Sequence, residues 1–116
     1  MNKGQEGSAL GRESVLELRI YEVAPGQLEQ LRRRFVAATL PLFRRHGIVA
    51  YGPWEYQVDG RDYVAYLVEF SDAEEHDRRL AAFRSDPEWV AAREQSEGGG
   101  PLTARIDVYP LRPMPQ

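Results

Sequence analysis

From Val15 to Tyr21 apolar and polar positions alternate, with Leu16, Leu18 and Ile20 on one side and Glu17, Arg19 and Tyr21 on the other. Period two is the mark of a strand with two unlike faces. Pro25-Gly26 punctuates the chain, and the period then changes. Between about Gln27 and His46, the residues Leu28, Leu31, Phe35, Ala38 and Leu42 recur at three- and four-residue spacing, and Val36, Leu40 and Phe43 widen the stripe. That spacing predicts an amphipathic helix. Pro41 lies inside it, removes one backbone hydrogen bond, and predicts a kink near residues 37–41. Arg44, Arg45 and His46 suit the negative end of the helix dipole, and Gly47 suits a left-handed cap.

Ile48 to Val58 reads as a second strand, interrupted near Gly52-Pro53 by a bulge or an edge position. Asp59-Gly60 is a hairpin signal, and Tyr63 to Phe70 returns. Ser71-Asp72-Ala73-Glu74 reads as a capping box, opening a helix whose apolar line is Ala73, His76, Leu80 and Phe83. Asp86-Pro87 starts a further short helix, with Asp86 as N-cap and proline at the first helical position. Ser96 to Pro101 is a loop, and Leu102 to Tyr109 alternates as the last strand. Residues 1–13 carry little to bury and read as a flexible leader. The domain spans residues 14–111, followed by a Pro-rich tail over 112–116. The order strand, helix, strand, strand, helix, strand predicts an α+β, ferredoxin-like βαββαβ fold, with both helices on one face of a four-stranded antiparallel sheet.

Sorting strand residues by parity extends the picture. One set is apolar: Leu16, Leu18, Ile20, Trp54, Tyr56, Val58, Val64, Tyr66, Val68, Phe70, Ala104, Ile106 and Val108. These are expected to meet the helices. The other set mixes Glu17, Arg19, Tyr21, Tyr51, Glu55, Tyr63, Leu67, Glu69, Arg105, Asp107 and Tyr109. Tyrosines and paired charges on the second face suit partial burial better than open solvent. A homodimer through the sheet face, a dimeric α+β barrel, is therefore expected.

Composition narrows the chemistry. At 116 residues one domain is expected. Fifteen Lys and Arg against 18 Asp and Glu give a net charge of −3, which argues against a nucleic-acid partner. Without cysteine, disulfides, thiolate catalysis and Cys-ligated zinc are excluded. No apolar run approaches the roughly 18–20 residues of a membrane span, and the start has no hydrophobic signal core. A soluble cytoplasmic protein with no membrane partner is expected. Gly98-Gly99-Gly100 is no phosphate loop, because no Lys-Ser or Lys-Thr follows it. Arg32-Arg33-Arg34 reads as a solvated helix face.

Two constellations could carry chemistry. His46, at the end of the first helix, is either a helix-capping residue or a proton-transfer group, since imidazole titrates near pH ~6.5. Arg19 and Tyr21 share a strand face with Glu17, and Glu69 is expected nearby. This is either a structural ion-pair network or a cluster in which Arg19 binds an anionic oxygen while Glu69 or Glu17 acts as base. The candidate catalytic residues are His46, Glu69, Arg19 and Tyr21. Trp54, Tyr56, Tyr66, His76 and Trp89 are either core or the lining of a pocket for a flat hydrophobic ligand.

Glu17-Leu18-Arg19-Ile20-Tyr21, Pro25-Gly26, Leu40-Pro41-Leu42-Phe43, His46-Gly47-Ile48, Gly52-Pro53-Trp54, Tyr66-Leu67-Val68-Glu69-Phe70 and Asp86-Pro87-Glu88-Trp89 together resemble the NIPSNAP family. The resemblance spans residues 16–109 and implies the dimeric α+β barrel arrangement. The wider barrel group includes cofactor-less monooxygenases, lactone isomerases, polyketide cyclases and haem enzymes. By this analogy the chain is expected to be a small enzyme with no tightly held cofactor, of isomerase, cyclase or monooxygenase type, acting on a hydrophobic or aromatic metabolite. The alternative is a non-catalytic small-molecule-binding or protein-interaction module. Haem ligation by His46 or His76 is a third option.

Overall fold

The computed structural model describes residues 13–115, so all but the last residue of the expected leader lies outside the described residues. The element order is β1 (Val15–Val23), a long helix α1 (residues 28–45), β2 (Val49–Val58), β3 (Arg61–Phe70), α2 (Ala73–Ser85), α3 (Pro87–Ser96) and β4 (Thr103–Leu111). The four strands form one antiparallel sheet in the order β2-β3-β1-β4. Helices α1, α2 and α3 pack on one face, which makes this the ferredoxin-like α+β arrangement.

The long helix is not uniform. Leu28–Arg34 and Leu40–Arg45 are α-helical, while Phe35–Thr39 is π-helical, with the Leu40 N–H bonded to the Phe35 carbonyl. The expected kink is thus a wide turn just before Pro41, which has no N–H to close a normal one. Val36 is 72% exposed there, whereas Leu31, Phe35, Ala38, Leu42 and Phe43 are buried. Arg34 departs from the expected solvated face. Its guanidinium bonds Ser96 and Glu97 and lies 5.4 Å over the Trp89 ring, tying α1 to α3. The α2 cap is Asp72, which accepts from the Glu75 N–H at 2.8 Å, one residue beyond the expected Ser71. Asp86 caps α3 as expected, accepting from the Glu88 N–H.

The hairpin turns at Asp59 and Gly60, whose φ values of 53° and 76° are those of a tight primed turn. The irregularity in β2 is a bulge between Tyr51 and Trp54, with Gly52 at φ 99°. A Cβ there would lie 2.8 Å from the Trp54 ring, so only glycine fits.

Register corrects the expected faces. Directly opposed residues of an antiparallel pair share a face. Val64, Tyr66, Val68 and Phe70 are buried beneath the helices, and their β1 partners are Tyr21, Arg19, Glu17 and Val15. The mixed parity of β1 therefore meets the helices, while Leu16, Leu18 and Ile20 lie on the open face opposite Glu69, Leu67 and Ala65. The bulge inverts parity along β2. Val49 and Tyr51 are on the open face before it, and Trp54, Tyr56 and Val58 are on the open face after it. Glu55, opposite Val64, is on the helix side. Each strand's alternation is legible alone, but which parity points inward depends on pairing between strands distant in sequence.

Candidate functional site

The polar parity of β1 becomes a connected chain under the helices. His76 is carried by the first turn of α2 and held edge-on against Phe70 at 4.9 Å. Its Nε2 lies 2.8 Å from Glu17 Oε2. The other oxygen of Glu17 accepts from Arg19 Nη2 at 2.8 Å and Nε at 3.2 Å. Arg19 stands opposite Tyr66, and the Tyr66 and Tyr21 hydroxyls are 2.7 Å apart. Tyr66 is packed among Phe35, Phe43 and Tyr21 and is 1% exposed. The ends of the chain reach outward: the His76 side chain is 22% exposed and Tyr21 is half-buried.

Burial opposes charge on Glu17, but the Arg19 guanidinium and His76 more than offset it, leaving the carboxyl below its ordinary range. Burial also works against the Arg19 charge, yet Tyr66 and Glu17 hold that group firmly protonated. Burial first, then Tyr21, pushes the Tyr66 hydroxyl well above the usual tyrosine range despite the nearby Arg19. The chain is thus a fixed carboxylate and a fixed cation, beside a Tyr66 hydroxyl that stays protonated. His76 Nδ1 faces Asp77, whose side chain is 82% exposed. This nitrogen is the outer one, and an incoming group can displace so exposed a partner.

Beside this polar row the sheet is uncovered on its helix side. Ile106 and Val108, cross-strand from Tyr21 and Arg19, are 51% and 43% exposed, and Pro110 stands opposite Glu17. An apolar floor along β4 beside a polar wall along β1 forms an open trough. On the other side of Phe35 lies a recess of about 230 Å³, lined by Val36, Leu40, Pro53 and Val64, with Arg32 and Glu55 also at its walls. Arg32 and Glu55 there bond each other through two contacts, 2.7 and 2.8 Å long.

Of the residues singled out in the sequence, the structure brings together Arg19, Tyr21, Tyr66 and His76. It places the others elsewhere. His46 Nε2 lies 2.7 Å from Asp86, at the junction of α2 and α3, so it fastens helices to one another. Its hydrogen bond and the Glu88 N–H hold Asp86 below the ordinary aspartate range. Glu69 is on the opposite face of the sheet from Arg19, buried, and accepts from the Tyr51 hydroxyl. That bond raises the Tyr51 hydroxyl above its ordinary value. Trp54 and Tyr56 are on the open face, 54% and 39% exposed, with Tyr56 stacked on Tyr63. Trp89 packs on Phe83 at 4.7 Å under Arg34. Glu17 is the member sequence reasoning left as an alternative to Glu69. A helix-borne histidine and a strand glutamate 59 residues apart leave no local signal of their contact.

Among the described residues no group of three or more His, Asp or Glu could hold a metal ion, and no helix is long and apolar enough to cross a membrane. The NIPSNAP family model matches residues 16–115. A search of curated proteins finds no match. Among solved structures, an uncharacterized NIPSNAP-like domain protein from Burkholderia xenovorans superposes with a TM-score of 0.77 at 23% identity, covering 90% of this chain and 88% of that one. A NIPSNAP family protein of unknown function from Agrobacterium tumefaciens gives 0.74 at 14% identity, covering 90% and 92%. SnoaB, a cofactor-independent oxygenase from Streptomyces nogalater, gives 0.59 at 17% identity, covering 90% and 96%. At these identities the structural likenesses establish the fold alone. The match over residues 16–115 goes further: this chain belongs to the NIPSNAP family.

Proposed function

We propose that the protein is a homodimer joined through its open sheet faces, and that each subunit is a small enzyme moving a proton on a flat, hydrophobic carbonyl compound without a tightly held cofactor. The observation that carries the enzymatic reading is the ordered His76–Glu17–Arg19 chain beside the exposed floor of Ile106 and Val108. Glu17, fixed by Arg19, holds the Nε2 side of the imidazole, and Nδ1 acts once the exposed Asp77 carboxylate is displaced, with a carboxylate orienting the catalytic histidine as in other such pairs. Nδ1 takes a proton from an acidic ring carbon. The C–H electron pair delocalises onto the conjugated oxygen, and return of the proton to another carbon gives an isomer, with no oxidant consumed. SnoaB is described as a cofactor-independent oxygenase, so the fold is known to host chemistry without a resident cofactor.

The dimer reading rests on the open face. Tyr109, Leu18, Leu67 and Tyr51 form an unbroken apolar rank across all four strands, with Leu111, Leu16 and Val49 beside it and Glu69, bonded by the Tyr51 hydroxyl, between the last two. Charged residues gather toward the hairpin end, as Glu22, Arg61, Arg105 and Asp107. A patch of this extent, crossing the middle of a sheet, suits a self-complementary contact between two copies.

Hydrogen–deuterium exchange at the γ carbon of a fused-ring conjugated ketone such as 4,4a,5,6,7,8-hexahydro-2(3H)-naphthalenone, followed by NMR, tests the enzymatic reading. Exchange accelerated by the wild type and lost in His76→Gln, with the circular dichroism unchanged, is expected. Ligand binding without accelerated exchange would instead make the trough a non-catalytic binding site. A sedimentation experiment showing monomer at micromolar concentration would remove the dimer.

A further inference from the structure

The hydroxyl pair at the far end of the chain has a direction. Two arrangements are open: Tyr21 donates to Tyr66, or Tyr66 donates to Tyr21. In the first, the Tyr66 hydrogen must find another acceptor inside a pocket walled by Phe35 and Phe43, and its cross-strand neighbour Arg19 has only donors to offer. A buried hydroxyl hydrogen without an acceptor is costly. In the second, the Arg19 guanidinium, cross-strand from Tyr66, sets its positive charge beside the Tyr66 oxygen, Tyr66 donates to Tyr21, and Tyr21, which is half-buried beside the exposed Ile106, keeps its own hydrogen for an outside partner. The second arrangement leaves no hydrogen of the buried Tyr66 hydroxyl without an acceptor.

We infer that Tyr21 is the ligand-facing donor of an Arg19–Tyr66–Tyr21 relay, and that it takes a phenolate or enolate oxygen of a fused-ring aromatic ligand lying along β4. This rests on the trough reading above and names the substrate's binding atom. A cation behind two aligned hydroxyls makes the terminal O–H a stronger donor than an isolated tyrosine, and a stronger donor selects an anionic oxygen over an ether. Size follows from the strand. Glu17 and Tyr21 are four residues apart, about 13 Å at the usual rise of a strand. A ligand reaching from the His76 end to Tyr21 therefore needs two or three fused rings, with its acidic carbon and its oxygen at opposite ends of one conjugated system. The apolar floor of Ile106 and Val108 meets its flat side.

Titration with 2-naphthol and with its methyl ether, followed by fluorescence at alkaline pH where the naphthol is ionised, tests this. The wild type is expected to bind naphtholate more tightly than the ether. Tyr21→Phe is expected to weaken naphtholate binding about tenfold or more while leaving the ether unchanged. Tyr66→Phe, which cuts the relay behind Tyr21, is expected to cause a smaller loss. His46→Gln, whose side chain bonds Asp86 away from the trough, should bind naphtholate as the wild type does. If no ketone exchange is seen yet naphtholate binding requires Tyr21, the catalytic reading fails and this one stands. Equal naphtholate affinity in wild type and Tyr21→Phe, no preference for naphtholate over the ether, or no binding at millimolar concentration would each overturn it.

Discussion

The two faces of the sheet reverse the usual division between covered and open surfaces. Along β1 the helix-covered face carries Glu17, Arg19 and Tyr21, whereas the open face carries Leu16, Leu18 and Ile20. The covered face tolerates charge because each polar group there meets a partner: Glu17 has Arg19 and His76, and Tyr21 has Tyr66. The open face has a different task. Its rank of Tyr51, Leu67, Leu18 and Tyr109 suits an apolar cover, which in the proposed dimer is the same rank of a second copy. Polarity along a strand thus reports what the partner layer offers, not simply whether the residue is inside.

The largest expected effect separates the faces directly. Leu18→Asp puts a charge in the middle of the open face, twice in the proposed dimer, and is expected to raise that dimer's dissociation constant about a thousandfold or more, as measured by sedimentation. The same variant should retain naphtholate binding, because the trough is on the other side of the sheet. Loss of both together would mean that the faces are not independent.

Next in size is Glu17→Ala. It strands the Arg19 charge in a layer where that side chain is 13% exposed, and about 3 kcal/mol of stability is expected to go, read from urea unfolding. Leu16→Ala, its neighbour on the open face, should change dimer affinity more than subunit folding.

The pH dependence sharpens the same contrast. The Glu17 carboxyl is held below the ordinary glutamate value of 4.5. Its contribution is therefore fully present above that value and is lost as pH falls through the lower native one. The urea midpoint should fall on acidification below pH 4.5, and Glu17→Gln should flatten that part of the curve. An identical acid limb in the variant would show that other carboxylates carry it.

The smallest effect concerns His46. Replacing it with Gln weakens the tie to Asp86 at the α2–α3 junction and is expected to cost about 1 kcal/mol. Naphtholate binding and ketone exchange should be unchanged. A large loss of exchange in this variant would move the proton-transfer role back to His46.

Much of this was legible beforehand. The order of the elements follows from periodicity, turn residues and caps, since Asp59-Gly60, Asp86-Pro87 and the stripe from Leu28 to Leu42 act through neighbours a few residues away. The candidate site was half legible. Arg19 and Tyr21 stand out on one strand, Tyr66 on another and His76 on its helix, and the structure joins them. Glu69 and Trp54 were misplaced because parity was read as though the more apolar side must face inward. The bulge at Gly52 also exchanged the faces midway along β2. One clue was available: a sheet that must also bury its second face can spend its most apolar parity there.

By itself the sequence determined the elements, their order and the family, because helix and strand periods, caps and tight turns are local physics. Only the tertiary structure decided which side of β1 meets the helices, and with it the meeting of His76 with Glu17 and of Tyr21 with Tyr66. Those contacts depend on strand register and helix placement across 45 to 59 residues of chain, where no short-range preference acts.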